Sequence, residues 1–179
     1  MFLSIFLFML CPTIASSLIS YTATVVITPV GGSMWLYVNT DDMTRTGWKR
    51  FGTYPYLDAI DYDVNYLSVK ATEKEAGNFG FADSGKSVET IESVTVQLYA
   101  KQSSAGDNLE VFIWNGSLWA SLGLRELPTT WNWVNWTATT EINSWAKIDG
   151  AEIYFLSHRQ PGANTFLADS ARLQVHYSL

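Results

Sequence analysis

The chain has 179 residues, of which 16% are charged and 15% are aromatic, and its formal net charge is −6. This length predicts one domain, large enough to bury roughly 70% of the surface of the unfolded chain. The aromatic content excludes an intrinsically disordered chain, and the absence of any Lys/Arg cluster argues against a nucleic-acid partner.

The N-terminal segment has the pattern of a secretory leader. Residues 1–10 are almost entirely apolar, Pro12 ends the run, and small residues follow it. This pattern predicts a signal peptide over residues 1–17, and the run is too short to be a membrane span. We therefore expect residues 18–179 to form a secreted, extracellular or cell-surface protein without a disulfide, since cleavage removes Cys11, the only cysteine. Because the segment contains no Lys or Arg, an uncleaved leader that acts as an anchor or assembly element is the alternative.

Apolar and polar residues alternate through most of the remaining chain, with frequent interruptions by Gly, Pro, Asn, Asp and Ser. Alternation with a period of two predicts strands that each bury one face. The predicted strands are 22–28, 34–38, 66–71, 78–81, 94–100, 109–114, 118–122, 131–138, 151–157 and 172–177, with a brief helical stretch at 140–147. About eight to ten short strands predict a single all-β domain, an antiparallel two-sheet β-sandwich of the jelly-roll type.

Residues 39–63 form the longest region without clear alternation, and Gly47, Gly52 and Pro55 interrupt it. Its aromatic residues make it too apolar for a free linker. We expect a loop that covers one edge of the sandwich. The alternative is a linker between an N-terminal hairpin and the main sandwich.

A hairpin is predicted over residues 109–122, because Asn115-Gly116 lies between two alternating runs and Asn-Gly is a strong hairpin signal. A type I′ turn there would pair Phe112 with Trp119 and Trp114 with Ser117. One face of the hairpin would then face the core, with Leu109, Val111, Ile113, Leu118, Ala120 and Leu122. The other face would lie outside, with Glu110, Phe112, Trp114, Ser117, Trp119 and Ser121.

The three large aromatic side chains on this outer face, Phe112, Trp114 and Trp119, indicate an interaction surface. Flat rings suit sugars, whose C–H faces pack on aromatic rings while hydroxyls bond to polar neighbours such as Glu110. In two alternative interpretations, a loop covers these rings as a second core, or another protein contacts them.

The next predicted strand adds further aromatic candidates. Trp136 shares a side with Val134, and we expect this side to face the core. Trp131 and Trp133 are then candidates for the same outer surface as the hairpin rings. Trp145 is expected to hold the following turn against the core.

Several short motifs together resemble a known group of proteins. They are Phe79-Gly80-Phe81, Trp114-Asn115-Gly116-Ser117-Leu118-Trp119, Thr130-Trp131-Asn132-Trp133 and Asp169-Ser170-Ala171-Arg172-Leu173, together with residues 56–66 and 91–96. Over residues 55–179 the chain resembles extracellular jelly-roll modules of secreted archaeal and bacterial proteins. These include carbohydrate-binding-module-like domains of the disaggregatase-related repeat type. The resemblance implies a non-catalytic module for glycan binding or surface assembly.

The candidate metal ligands are Asp58, Asp61, Asp63 and Asn65, an oxygen-rich cluster of the kind that calcium prefers. The resembling modules often hold a structural calcium, which makes calcium the one expected cofactor. The alternative is a polar turn that enters a strand.

The sequence carries no signature of catalysis. One removable Cys and two His argue against a zinc site, and the known nucleophile, metalloprotease and phosphate-binding motifs are absent. Glu110 has no acidic partner in the predicted hairpin, whereas glycoside hydrolysis needs two carboxylates. We therefore expect a protein that is not an enzyme.

Two functions fit these patterns. The first is a non-enzymatic secreted module that binds a polysaccharide, a cell-surface glycan or another surface partner through its aromatic outer face. The alternative is a structural subunit of a cell-surface layer, filament or virion. Such a subunit would self-assemble by adding its N-terminal strand, residues 22–28, to the sheet of a neighbour.

Overall fold

The computed structural model describes residues 31–52, 57, 60, 66–70, 74–158 and 164–179, but not the side chains of residues 42–46. Strands make up nearly all the regular structure of these residues. The elements in chain order are β1 (Gly32–Thr46), β2 (Lys49–Phe51), β3 (Tyr66–Val69), β4 (Glu75–Phe81), β5 (Thr90–Gln102), β6 (Asn108–Trp114), β7 (Trp119–Glu126), β8 (Asn132–Thr137), α1 (Trp145–Asp149), β9 (Glu152–His158) and β10 (Phe166–Ser178). Within these residues, no helix is both long enough and apolar enough to cross a membrane.

The strands form two antiparallel sheets in jelly-roll order. Sheet I has the order β1-β10-β5-β8. In addition, β3 pairs with the first part of β10, and β2 pairs with β3. Sheet II has the order β4-β9-β6-β7. The first part of β1 pairs with β10, and its second part pairs with β4. Apart from the hairpin of β6 and β7, consecutive strands from β4 to β10 cross between the sheets in the order of an eight-stranded jelly roll, which confirms the predicted fold class.

The core lies between the sheets and is filled by alternate residues of each strand. Its fully buried side chains include Val94, Val96, Leu98, Leu173 and Val175 from sheet I, and Leu109, Val111, Ile113, Ile153 and Phe155 from sheet II. Trp48 joins the two layers, because its ring lies 5.1 Å from that of Phe155 and 6.3 Å from that of Phe166. Each sheet therefore presents its second face outwards.

The expected covering loop over residues 39–63 is wrong where the structure describes it. Residues 39–46 complete β1, residues 49–51 form β2, and Trp48 between them is buried in the core. The register of β1 against β4 shifts between Val38 and Thr40 and again between Asp41 and Arg45. These irregularities break the alternation of period two, which is why the strand was not apparent in the sequence.

The expected positions of Trp136 and Trp145 are confirmed. Trp136 is fully buried, and Val134 packs against the same core. Trp145 is the first residue of the short helix α1, after the N-cap Ser144, and it is 5% exposed. Its Nε1 donates a hydrogen bond to the carbonyl oxygen of Glu89 at 2.6 Å. Trp145 thus fixes the segment before β5 to the helix.

Some predicted features lie outside the described residues. They are the leader at 1–17, the N-terminal strand at 22–28, and the candidate calcium ligands Asp58, Asp61, Asp63 and Asn65.

Candidate functional site

The hairpin of β6 and β7 divides its side chains between two faces as predicted. Those expected in the core are buried or pack against it, namely Leu109, Val111, Ile113, Ala120 and Leu122. Those expected outside are partly exposed, among them Glu110, Phe112, Trp114 and Trp119. Leu118 is the exception, because it lies in the turn and is 54% exposed rather than in the core.

The predicted register of this hairpin is wrong. Trp114 pairs with Trp119 and Phe112 pairs with Ser121, whereas a type I′ turn at Asn115-Gly116 would pair Phe112 with Trp119. From Phe112 to Trp114 each residue therefore pairs two positions away from its expected partner, and the register shifts once more between Glu110 and Phe112. Because side chains alternate with a period of two, a shift of two leaves the paired side chains from Phe112 to Trp114 and from Trp119 to Ser121 on their predicted faces.

The side chain of Asn115 explains where the chain turns. Its Oδ1 accepts hydrogen bonds from the backbone N–H groups of Ser117 and Leu118, both at 3.1 Å. The backbone N–H of Asn115 donates to the carbonyl of Leu118 at 3.2 Å. Asn115 thus ends the ladder and caps a bend centred on Gly116 and Ser117, where Gly116 has a φ of 94°.

Phe112, Trp114 and Trp119 form the sheet II aromatic cluster together with Tyr154 of β9. Phe112 stacks on Tyr154 with ring centroids 4.5 Å apart and planes 4° apart. The rings of Trp119 and Tyr154 pack edge to face with their centroids 4.9 Å apart, and the ring centroid of Trp114 lies 5.7 Å from that of Trp119. Tyr154 is only 8% exposed, so these rings cover part of one another's faces.

Glu110, the acidic residue predicted beside these rings, is engaged by protein groups. One carboxylate oxygen lies 2.8 Å from Nε2 of His158, and the other accepts a hydrogen bond from Oγ of Ser121. Both partners lie on the same outer face of sheet II. The carboxylate is therefore held in place by protein contacts before any ligand arrives.

Trp131 and Trp133 do not share the surface of the hairpin rings, which corrects the sequence prediction. β8 pairs with β5 in sheet I, where Trp133 lies opposite Tyr99, and not with β6 or β7. Because the chain crosses to the other sheet after β7, the two Trp side chains lie on the outer face of sheet I. The predicted candidates therefore divide into two groups on opposite sides of the sandwich.

The outer face of sheet I carries a second set of aromatic side chains. Trp35 and Tyr37 of β1 are 49% and 37% exposed, because they alternate with the buried Leu36 and Val38. Across β10 and β5 they face Trp133 of β8. We call this surface the sheet I aromatic face, and its members are Trp35, Tyr37, Gln97, Tyr99, Lys101, Trp131, Trp133, Arg172 and Gln174.

Arg172 lies at the centre of the sheet I aromatic face. Its guanidinium carbon is 4.0 Å from the ring centroid of Trp133, 5.4 Å from that of Trp35 and 5.7 Å from that of Tyr37. Its Nε donates to Oε1 of Gln97 at 2.7 Å, and its Nη1 donates to the hydroxyl of Tyr37 at 2.8 Å. These cation–π contacts and hydrogen bonds hold the guanidinium in one orientation.

Polar and aromatic groups extend this face on either side of Arg172. Nε2 of Gln97 donates to Oε1 of Gln174 at 3.1 Å. Tyr99 stacks on Trp131 with centroids 5.6 Å apart, and Nζ of Lys101 lies 4.4 Å from the Trp131 ring centroid. The face thus combines flat rings with fixed hydrogen-bonding side chains.

No cluster of three His, Cys, Asp or Glu side chains that would hold a metal occurs among the described residues. The predicted calcium ligands lie outside them. The prediction of a bound calcium therefore stays a prediction.

The sequence prediction missed Trp35, Tyr37, Tyr99 and Arg172 as candidate site residues. Their signal was nevertheless present, because each alternates with buried neighbours in a predicted strand. The order of the strands, which one sequence does not reveal, brings these side chains together across sheet I.

Neither a family model nor a curated protein matches the sequence. The fold is distantly similar to three solved structures. The first is a family two carbohydrate esterase from Cellvibrio japonicus, with a TM-score of 0.37 and 12% identity over 84% of this chain and 36% of that chain, so that this chain spans about a third of its length. The second is a mutant of a family 29 carbohydrate-binding module complexed with mannohexaose. Its TM-score is 0.39, with 8% identity over 83% of this chain and 92% of that chain. The third is the CBM22-1 xylan-binding domain from Paenibacillus barcinonensis Xyn10C. Its TM-score is 0.40, with 14% identity over 79% of this chain and 85% of that chain.

Proposed function

We propose that this protein is a non-catalytic glycan-binding domain and that it binds a polysaccharide on the sheet I aromatic face. The observation that carries this proposal is the pair of exposed rings, Trp35 and Tyr37, beside a fixed guanidinium and two amide side chains. Exposed aromatic side chains in a contiguous surface indicate a binding site more strongly than isolated apolar residues do.

The chemistry of this face matches that of a sugar chain. The C–H faces of a sugar pack on flat rings, and its hydroxyls need fixed donors and acceptors at the edges of those rings. Trp35 and Trp133 supply rings, and Gln97 supplies amide groups between them. From β1 to β8 the face is three strand spacings wide, about 14 Å, which accommodates several sugar units of a chain.

The sheet II aromatic cluster is the second candidate surface for the same function. It carries Phe112, Trp114 and Trp119, with Glu110 beside them, as the sequence predicts. Its rings pack on Tyr154 and on one another, so less of each ring face is free for a sugar. This difference in ring exposure favours sheet I.

The carboxylates nearest to the two aromatic surfaces also favour binding over catalysis. A glycosidase needs two carboxylates about 5 to 9.5 Å apart. The only carboxylate of β10, Asp169, is fully buried at a strand irregularity, and β8 has none. On sheet II, Glu110 is held by His158 and Ser121. We therefore assign the domain a binding role, and we place it outside the cell, where polysaccharides are encountered.

The proposal is tested by affinity electrophoresis against a panel of neutral and acidic polysaccharides, with one variant for each face. Trp35→Ala should weaken binding by about tenfold, equivalent to about 1.4 kcal/mol, because it removes an exposed ring from the platform. Trp114→Ala is the matched control on sheet II and should leave the affinity unchanged. A loss of binding with Trp114→Ala alone would place the site on sheet II, and a wild type that binds no polysaccharide would refute the proposed function.

Self-assembly through the N-terminal strand is the alternative proposal from the sequence. The residues that would carry it, 22–28, lie outside the described part of the chain. Sedimentation of the full chain and of a variant lacking residues 18–30 distinguishes the two. A structural subunit would form large assemblies that this deletion abolishes, whereas a glycan-binding domain would keep its size and its affinity.

A further inference from the structure

We infer that the sheet I aromatic face selects acidic glycans, chains whose sugars carry a carboxylate, and that Arg172 pairs with this group. The inference rests on the proposed function and specifies the class of ligand. Three observations carry it: the partners of Arg172, the distribution of carboxylates around it, and the rings on both sides of it.

The partners of Arg172 are neutral. Its Nε and Nη1 donate to the amide oxygen of Gln97 and to the hydroxyl of Tyr37. A guanidinium has five N–H donors, and these two bonds use two of them. The described residues provide no hydrogen-bond acceptor to Nη2 and no ion-pair partner to this side chain. Its positive charge and its remaining donors are therefore available to a ligand.

Among the residues that the structure describes, carboxylates are kept away from this part of the face. The described carboxylate side chains of the sheet I strands are Asp41 on β1 and Asp169 on β10, which are both buried, and Glu92 on β5. Asp41 forms an ion pair with Arg50. Glu92 is five residues from Gln97, about 17 Å along the strand. The chain as a whole has a net charge of −6. Within the described part of the chain, Arg172 is thus a cation without a carboxylate partner at the centre of an aromatic surface, and it would attract an anion that the net negative charge of the protein repels.

The rings define how an acidic sugar would sit. The guanidinium packs on Trp133 at 4.0 Å, which orients its plane and lowers its exposure to water. Trp35, on the other side of Arg172, is half exposed and offers its ring to a sugar. The guanidinium carbon lies 5.4 Å from the centroid of the Trp35 ring, so the carboxylate of a sugar unit on Trp35 would lie within reach of the guanidinium. A charged acceptor forms a shorter and stronger bond there than a neutral hydroxyl does.

The test compares each acidic polysaccharide with its own methyl ester, which has the same backbone without the charge. Polygalacturonate, alginate and hyaluronan are titrated in both forms by isothermal titration calorimetry at about 0.15 M salt, where charges beyond about 8 Å are screened. We expect the wild type to bind at least one acidic form about tenfold more tightly than its ester. Arg172→Gln should abolish this preference, and Arg172→Lys should retain part of it, because a lysine keeps the charge but not the planar fork.

Lys74→Gln is the control for overall charge, since Lys74 is exposed directly before β4 and lies outside sheet I. It should leave the preference unchanged. The chemical-shift dispersion of each variant in a ¹⁵N-HSQC spectrum shows that it is folded. Equal affinity for an acid and its ester, or a preference that survives in Arg172→Gln, would overturn the inference while the proposed glycan binding stands. Absence of binding to every form, charged or neutral, would overturn both.

Discussion

The orientation of β8 gives a prediction that bears on both faces of the molecule. Trp136 is fully buried, and its Nε1 donates a hydrogen bond to the carbonyl of Gly123 at 3.0 Å. This bond ties β8 of sheet I to β7 of sheet II. In Trp136→Phe the lost hydrogen bond costs about 1 kcal/mol, because Gly123 is only partly buried and water reaches its carbonyl. The void left by the smaller ring adds about 1 to 2 kcal/mol.

Urea unfolding followed by circular dichroism measures this change. The free energy of unfolding should fall by about 2 to 3 kcal/mol, and the midpoint should fall by about 1 M, for an unfolding slope of about 2 to 3 kcal/mol per M. Trp133→Phe is the matched control, three residues earlier on the outer face, and should cost less than about 0.5 kcal/mol. If Trp133→Phe destabilises the domain as much as Trp136→Phe does, the assignment of inner and outer side chains on β8 is wrong.

Two further predictions concern stability. Gly77 has a φ of 136°, and a Cβ there would lie 2.6 Å from Cβ of Tyr154. Gly77→Ala should therefore destabilise the fold by more than about 2 kcal/mol in urea unfolding. Gly106→Ala, with a φ of 109° but open space around it, should cost only about 1 to 2 kcal/mol, and equal effects would contradict the packing argument. A hydrogen bond from Lys86 lowers the pKa of Glu89 from 4.5 to about 2. The ionised form thus stabilises the folded state, and this contribution is lost as the pH falls from about 4.5 to about 2. Glu89→Gln should flatten the pH dependence of the urea midpoint in that window, and an unchanged profile would refute the role of this pair.

Local alternation explains why much of the fold was predictable from sequence. Val94, Val111 and Trp136 are buried as expected, because the side of a strand on which a residue lies depends only on its neighbours in the chain. The faces of β6 and β7 were correct even though the turn was displaced by one residue. Moving the turn by one residue changes the partners beside it by two positions, and a change of two leaves each side chain on the same face.

The remaining errors have specific physical causes. At Asn115, the side chain bonds to two backbone N–H groups, and this Asx turn replaces the expected type I′ turn. In β1, the irregular pairing with β4 interrupts the alternation of apolar and polar residues, so the second part of this strand was not predicted. Trp133 was assigned to the wrong surface because the pairing of β8 with β5 is a long-range choice between sheets.

The candidate site depends on the same long-range choice. Alternation with the buried Leu36 and Val38 already places Trp35 and Tyr37 on an outer face. Only the order β1-β10-β5-β8 brings them beside Arg172 and Trp133. The residues of the sheet I aromatic face therefore come from separate strands, and only the fold brings them together.

Glycan binding on the sheet I aromatic face can be observed directly by titrating the ¹⁵N-labelled protein with the polysaccharide panel and following the indole N–H signals of its eight Trp residues. Signals from the two faces and from the core are assigned by single Trp→Phe variants. Binding on the sheet I aromatic face should shift the signals of Trp35 and Trp133 and leave those of Trp48 and Trp136, in the core, unchanged. Shifts confined to Trp114 and Trp119, or no shift with any polysaccharide, would contradict this prediction.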